Sequence, residues 1–149
     1  MGLARGYWHA EPIDDWLSRF QIMPVRTVLV VEDSPLTRRM IRRMLEQHGS
    51  LDVVEAGDGR EAMEILNSQA VDIVLSDLHM EPMDGHGLMA EMRLHPALAH
   101  LPFIMMTAQH CPDSIRRTIG DHSSHYLPKP FTREQLYAAL QRSSARQAA

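Results

Sequence analysis

From residue 26 onward the chain alternates between short runs of β-branched and apolar residues and longer stretches whose apolar positions recur every three to four residues. Val28 to Val31 is the first run. Ser34 and Pro35 then supply an N-cap and a first-turn proline, and Leu36, Met40, Ile41, Met44 and Leu45 mark one face of a helix that stops before Gly49. Leu51 to Ala56 reads as a second strand, followed by Asp58 and Glu61 as the capping box of a helix carrying Ala62, Ile65 and Leu66. Val71 to Ser76 is a third strand, a turn rich in Met, Pro, Asp and Gly follows, and a helix around Leu88 to Leu94 ends near Pro96. Leu101 to Met106, a short helix over Pro112 to Ile119, a strand from Ser124 to Leu127 and a closing helix from Thr132 to Gln141 complete the pattern. Five strand-helix units predict an α/β domain, a parallel sheet with helices on both faces.

Residues 1–24 break this rhythm. Ile13, Trp16, Leu17 and Phe20 recur at helical spacing, with Pro12, Asp14 and Asp15 in what would be the first turn. A short amphipathic helix is predicted there, and its stripe must pack either on the domain or across a homodimer. The organisation is therefore an N-terminal extension over 1–24, a domain over 25–143 and a tail over 144–149.

Composition adds exclusions. A length of 149 residues, 44% hydrophobic and 23% charged, fits one globular domain. The net charge of −4 argues against bulk-charge binding to nucleic acid or to an anionic membrane. No apolar stretch reaches membrane-spanning length, and Glu11, Asp14 and Asp15 spoil any secretory signal, so the chain reads as soluble and cytoplasmic. The lone Cys111 excludes an internal disulfide and reads as an inert thiol. The nine histidines lack the converging spacing of a zinc site. The methionines between Met80 and Met106 read as core filler. Arg38, Arg39, Arg42 and Arg43 form a basic helix face for solvent or a kinase rather than for DNA.

The chemistry gathers at strand ends. In an open parallel sheet the ligand crevice lies beyond the carboxyl ends of the strands. Glu32 and Asp33 follow the first strand, Asp77 the third, Thr107 the fourth and Lys129 the fifth. Carboxylates crowded on one rim repel unless a cation sits among them, and a hard divalent ion such as Mg²⁺ suits oxygen donors. Phosphoryl transfer fits such a rim, with Asp77 as a carboxylate nucleophile. The alternative is that Asp77 merely caps a loop. Of the 15 basic residues Lys129 alone is Lys. Its ammonium can hold an anion in a crevice where a planar guanidinium fits poorly.

Over Thr27 to Arg142 the chain resembles the receiver domain of two-component response regulators, and most of all the single-domain chemotaxis type. The resemblance rests on Val30-Val31-Glu32-Asp33-Ser34, on Asp77-Leu78-His79-Met80-Glu81-Pro82-Met83-Asp84-Gly85, on Met106-Thr107-Ala108 and on Tyr126-Leu127-Pro128-Lys129-Pro130-Phe131. The intervals from Asp33 to Asp77, to Thr107 and to Lys129 also fit. It implies a flavodoxin-like doubly wound sheet of order 2-1-3-4-5. It further implies that Asp77 accepts a phosphoryl group from a histidine kinase or a histidine phosphotransfer protein. Mg²⁺ would be held by Glu32, Asp33, Asp77 and the backbone carbonyl of His79. Lys129 and Thr107 would bind phosphoryl oxygens, and Thr107 with Tyr126 would form the switch, with the small Ala108 giving it room. Such a protein is a phosphoacceptor rather than a turnover enzyme.

Two departures stand out. The proline after Asp77 comes one residue late, which places Glu81 at the site mouth, and His122-Ser123 replace a small pair before Tyr126, so the preceding helix is expected to end early. These departures keep a phosphorylation-independent scaffold as an alternative. An aspartyl-phosphate hydrolase would want an acid where His79 stands. The short tail leaves no room for a DNA-binding or catalytic output domain, so a stand-alone receiver is expected, the alternative being a fragment of a larger response regulator.

Overall fold

The computed structural model describes residues 25–108 and 124–148. The amphipathic segment of residues 1–24 and the expected helix over Pro112 to Ile119, with His122-Ser123, lie outside the described residues. Strands β1 (Thr27–Val31), β2 (Asp52–Ala56), β3 (Ile73–Asp77), β4 (Phe103–Thr107) and β5 (Ser124–Pro128) form one all-parallel sheet in the order β2-β1-β3-β4-β5. This is the doubly wound, flavodoxin-like α/β arrangement.

Alternation along the strands sorts the core into two halves. Val28, Val30, Ile73, Leu75, Ile104 and Met106 point to one face, where Ile41 and Leu45 of α1 (Pro35–Glu46) and Leu136, Tyr137 and Leu140 of α4 (Arg133–Ala148) cover them. Leu29, Val31, Val74, Phe103 and Met105 point to the other face, under Ala62 and Leu66 of α2 (Gly59–Ser68) and Leu88, Met89 and Met92 of α3 (Gly85–Leu94). Five of the six methionines between Met80 and Met106 are buried here.

Local chemistry starts each helix. Ser34 Oγ accepts from the Thr37 N–H with Pro35 in the first turn of α1, and Asp84 caps α3 by accepting from the Gly87 N–H at 2.7 Å. Helix α3 therefore begins three residues before Leu88. Asp58 accepts from the N–H groups of Arg60 and Glu61, and Glu61 Oε2 reaches back to the Gly57 N–H at 2.8 Å. The box closes one residue earlier than the usual reciprocal pair. Thr132 and Gln135 make the reciprocal pair at the start of α4.

Two expectations need correction. Leu36 and Met40 do not face the sheet: they are 67% and 53% exposed, while Ile41 and Leu45 are buried. Five apolar positions spread over about half of the helix circumference, more than the sheet can cover. The closing helix also runs past Gln141 through the expected tail to Ala148, and Ser143 can be buried in it because its hydroxyl donates to the Ala139 carbonyl at 2.9 Å.

His48 closes the turn after α1. It is 5% exposed and packs edge-on against Tyr137, with ring centroids 5.7 Å apart. Burial holds its imidazole below the ordinary value of 6.5. The fold thus favours the neutral form, whereas the unfolded chain takes up a proton near the ordinary value. Stability from this group is complete above that value and is lost as pH falls through the lower folded one. The urea midpoint is expected to drop between about pH 7 and pH 5, and His48→Phe to remove that share of the drop. An unchanged pH profile in His48→Phe assigns the loss to other groups.

Candidate functional site

Parallel register brings the strand ends level. Val31 pairs with Ala56 and Ser76, Asp77 with Met106, and Thr107 with Pro128. The next residues, Glu32 and Asp33 after β1 and Lys129 after β5, therefore meet Asp77 and Thr107 on one rim. The Lys129 N–H donates to the Thr107 carbonyl at 2.6 Å, which carries the β4–β5 pairing into the site.

Ligand-capable oxygens of Glu32, Asp33 and Asp77 lie within 4.8 Å of one another. Glu32 and Asp77 are buried and Asp33 is exposed. The ammonium of Lys129 bridges the buried pair, donating to Asp77 Oδ1 at 3.0 Å and to Glu32 Oε2 at 3.2 Å. Burial first, and the Asp77 charge second, raise Glu32 above the usual carboxylate range, with Lys129 and the Ser34 N–H offsetting part of this. For Lys129, burial lowers the pKa, but hydrogen bonds and charges from Asp77 and Glu32 outweigh it and hold the ammonium above its ordinary value. Among the described residues the site is thus a buried anionic pair bridged by the Lys129 ammonium.

The remaining donors are arranged around Asp77. Its Oδ1 also accepts from the Leu78 N–H at 2.9 Å, while Oδ2 has no hydrogen bond among the described residues. Thr107 is 1% exposed, and its Oγ1 has no hydrogen-bond partner among the described residues. A buried hydroxyl on this rim with no partner among the described residues is a donor that an anion bound there can use. His79 and Glu81 line an open cavity of about 290 Å³ with Asp33, Met80 and Asp84, which puts Glu81 at the mouth as its position implies. Oxygen donors, two of them buried and within reach of one ion, fit a hard divalent cation such as Mg²⁺. Tyr126 stands apart from this group. It lies in β5 opposite Met105, half-buried against the core on the α2 and α3 side.

The profile described as "Response regulator receiver domain" matches residues 28–141. The chain belongs to the response regulator receiver family. The receiver is 34% identical over 114 residues to a probable chemotaxis protein CheY of Rhizobium etli, covering 76% of this chain and 88% of that protein. It is 32% identical to the chemotaxis protein CheY of Pseudomonas aeruginosa, covering 77% and 93%. Among solved structures it resembles the receiver domain of a sensor histidine kinase of Pseudomonas aeruginosa PAO1, determined with a magnesium ion coordinated in the active site cleft. That match has a TM-score of 0.72 and 29% identity, and it covers 81% of this chain and 98% of the other. No helix among the described residues is long and apolar enough to cross a membrane.

Three supports of the receiver site escaped sequence reasoning. Arg38 Nη1 donates to the Glu32 carbonyl at 2.6 Å while its Nε binds Glu55, so this arginine fixes the acidic turn rather than facing a partner. Arg42 is likewise engaged, with Glu55 and Glu46. Ser34 donates its N–H to Glu32 Oε1 as well as capping α1. Gly85 packs against the Asp77 carbonyl. Only Ser34 had a local signal, its place before Pro35. Arg38 and Gly85 act by folding back across a turn or loop onto Glu32 and Asp77, contacts that no motif announces.

Proposed function

We propose that Asp77 is the phosphoacceptor of a phosphorylation-switched receiver. The observation that carries this reading is its carboxylate: Oδ1 is held by Lys129 and Leu78, while among the described residues Oδ2 makes no hydrogen bond, and on the same rim lie the acidic pair and the Thr107 hydroxyl, which has no partner among them either. The donor is a phosphohistidine on a histidine kinase or a histidine phosphotransfer protein. Asp77 Oδ2 attacks phosphorus, the P–O bond forms as the P–N bond breaks, and the electron pair leaves with the imidazole nitrogen. Glu32, Asp33, Asp77 and the His79 backbone carbonyl would hold Mg²⁺, which supplies positive charge against the phosphoryl oxygens.

After transfer the Lys129 ammonium holds one phosphoryl oxygen and the Thr107 hydroxyl donates to another. Moving the Thr107 side chain toward phosphate opens room on β4 that Tyr126, on the neighbouring strand, can enter. The added charge thereby biases a two-state element and changes which partner binds. In this role the protein is consumed and regenerated as a phosphoprotein rather than acting on a separate substrate. Its working compartment is the cytoplasm.

Incubation with acetyl phosphate and Mg²⁺ is expected to add the mass of one phosphoryl group as an acid-stable, base-labile adduct. Asp77→Asn and chelation of Mg²⁺ should each abolish it. Mg²⁺ at a hundredfold excess over its Kd should also raise unfolding stability by about 2.7 kcal/mol, an increment lost in Asp33→Asn with Glu32→Gln. An adduct that survives in Asp77→Asn, or no adduct on a chain that still binds Mg²⁺, overturns the assignment.

A further inference from the structure

Every polar group of Glu32 is engaged. Its N–H donates to the Ala56 carbonyl at the end of β2, Oε1 accepts from the Ser34 N–H, Oε2 accepts from Lys129, and its carbonyl oxygen accepts from Arg38 Nη1. Asp33 is the opposite case. It is exposed and makes no hydrogen bond among the described residues, yet its carboxylate stands within 4.8 Å of ligand-capable oxygens of Glu32 and Asp77. Among the described residues, no partner of its own side chain aims it there.

The backbone on either side does. A peptide group is planar, so a grip on the Glu32 carbonyl also fixes the amide through which Asp33 is attached. Ser34 is fixed twice on the other side, by its N–H on Glu32 and by its hydroxyl, which accepts from the Thr37 N–H. Asp33 is strung between two anchors. Arg38 supplies the first of them at 2.6 Å, through a charge-assisted bond of the stronger kind. Long side chains on a helix lean toward its N-terminus, which is how a residue early in α1 reaches the turn before it.

The guanidinium is itself braced. Its Nε donates to Glu55 Oε1 on β2 at 3.2 Å, and the other oxygen of Glu55 accepts from Arg42, which also binds Glu46. The charges of these two arginines and two glutamates cancel, so the turn gains a fixed donor without a net positive charge that would oppose a divalent cation. A planar fork can hold a carbonyl and a carboxylate in fixed relation. A lone ammonium cannot.

We propose that Arg38, braced by Glu55, is a positioning residue for metal binding: by holding the Glu32 carbonyl it aims Asp33 at the cation shared with Glu32 and Asp77. The proposal rests on the reading above that these carboxylates hold Mg²⁺. Charge and positioning predict opposite signs here. A guanidinium acting through charge alone repels Mg²⁺, so its removal would tighten binding, whereas loss of the anchor loosens it.

Titration calorimetry of the full chain with Mg²⁺ tests this. Arg38→Met, which keeps an apolar stem, is expected to weaken Mg²⁺ binding about tenfold, the lower end of what losing a group behind a metal ligand costs. Arg42→Met removes a cation from the same Glu55 without touching the turn and should leave the affinity nearly unchanged. Arg38→Lys should stay several-fold weaker than the native chain, and it carries the test if urea curves show that Arg38→Met does not fold. In acetyl phosphate labelling, the half-saturating Mg²⁺ concentration should rise with the dissociation constant while the rate at saturating Mg²⁺ stays near native, a split that general loosening of the fold would not give. Unchanged or tighter binding in Arg38→Met overturns the proposal, as does equal weakening in Arg42→Met or native affinity in Arg38→Lys. A native chain that binds no Mg²⁺ overturns the metal assignment and this proposal with it. A native chain that binds Mg²⁺ no better than Arg38→Met overturns this proposal alone.

Discussion

Gly85→Ala is expected to cost about 3 kcal/mol or more of folding stability, at the top of the usual range for overpacking. A methyl group at this position would collide with the Asp77 carbonyl oxygen and would lie 2.6 Å from Met105 Sδ. The glycine is held where it is, because its N–H donates to the Leu78 carbonyl at 3.0 Å and Asp84 caps the helix it begins. The sulfur could swing away, but the carbonyl belongs to a central strand and cannot. Urea denaturation of Gly85→Ala, Met105→Ala and the double variant as a cycle separates the two contacts, since truncating the buried Met105 has its own cost. An undiminished cost of Gly85→Ala in the Met105→Ala background is the expected result. Full rescue would show that the sulfur, not the backbone, sets the requirement. Whatever relief the chain finds moves Asp77, so Mg²⁺ stabilisation should weaken in the same variant.

Lys129→Met is expected to lower stability without metal by about 2 kcal/mol while tightening Mg²⁺ binding. Removing one member of a buried ion pair costs about 3–5 kcal/mol, and partial solvation of Lys129, whose side chain is 29% exposed, reduces that figure. What remains is a Glu32 and Asp77 pair, 3% and 12% exposed at the side chain, with no cation between them among the described residues. Saturating Mg²⁺ should restore most of the loss, and Asp77→Asn in the same chain should restore it without metal. Chemical denaturation with and without Mg²⁺ checks both. Equal loss under all conditions would mean that Lys129 contributes packing rather than charge. Lys129→Arg is expected to keep the fold and much of this stability, yet respond weakly to phosphorylation, since a planar fork suits a single phosphoryl oxygen poorly.

The parts of this protein that were legible in sequence are those encoded by local pattern. Strand runs of alternating facing, the Ser34-Pro35 and Asp58-Glu61 starts, and polar residues placed just after apolar runs sufficed to put Glu32, Asp33, Asp77, Thr107 and Lys129 on one rim. Parallel register then makes proximity automatic. The outward set of α1 was not legible, because Leu36 and Met40 carry the same helical periodicity as Ile41 and Leu45, and only the width of the sheet decides which pair it covers. The contacts of Arg38 with Glu32 and of Gly85 with Asp77 depend on how a turn and a loop fold back, which hydrophobic periodicity does not encode. The end of α4 was hidden because Ser143 reads as a helix-weakening residue until its hydroxyl finds Ala139.

The sheet has two rims, and only one carries the reactive groups. At the opposite rim, the turn between α1 and β2 contains Gly49, exposed, with φ of +81° and open space around it. Insertions there lengthen a surface turn at small entropic cost and leave every strand end in place. This rim is therefore where the protein can be spliced, fused or labelled, and where related chains can drift in length, without altering the chemistry at the other.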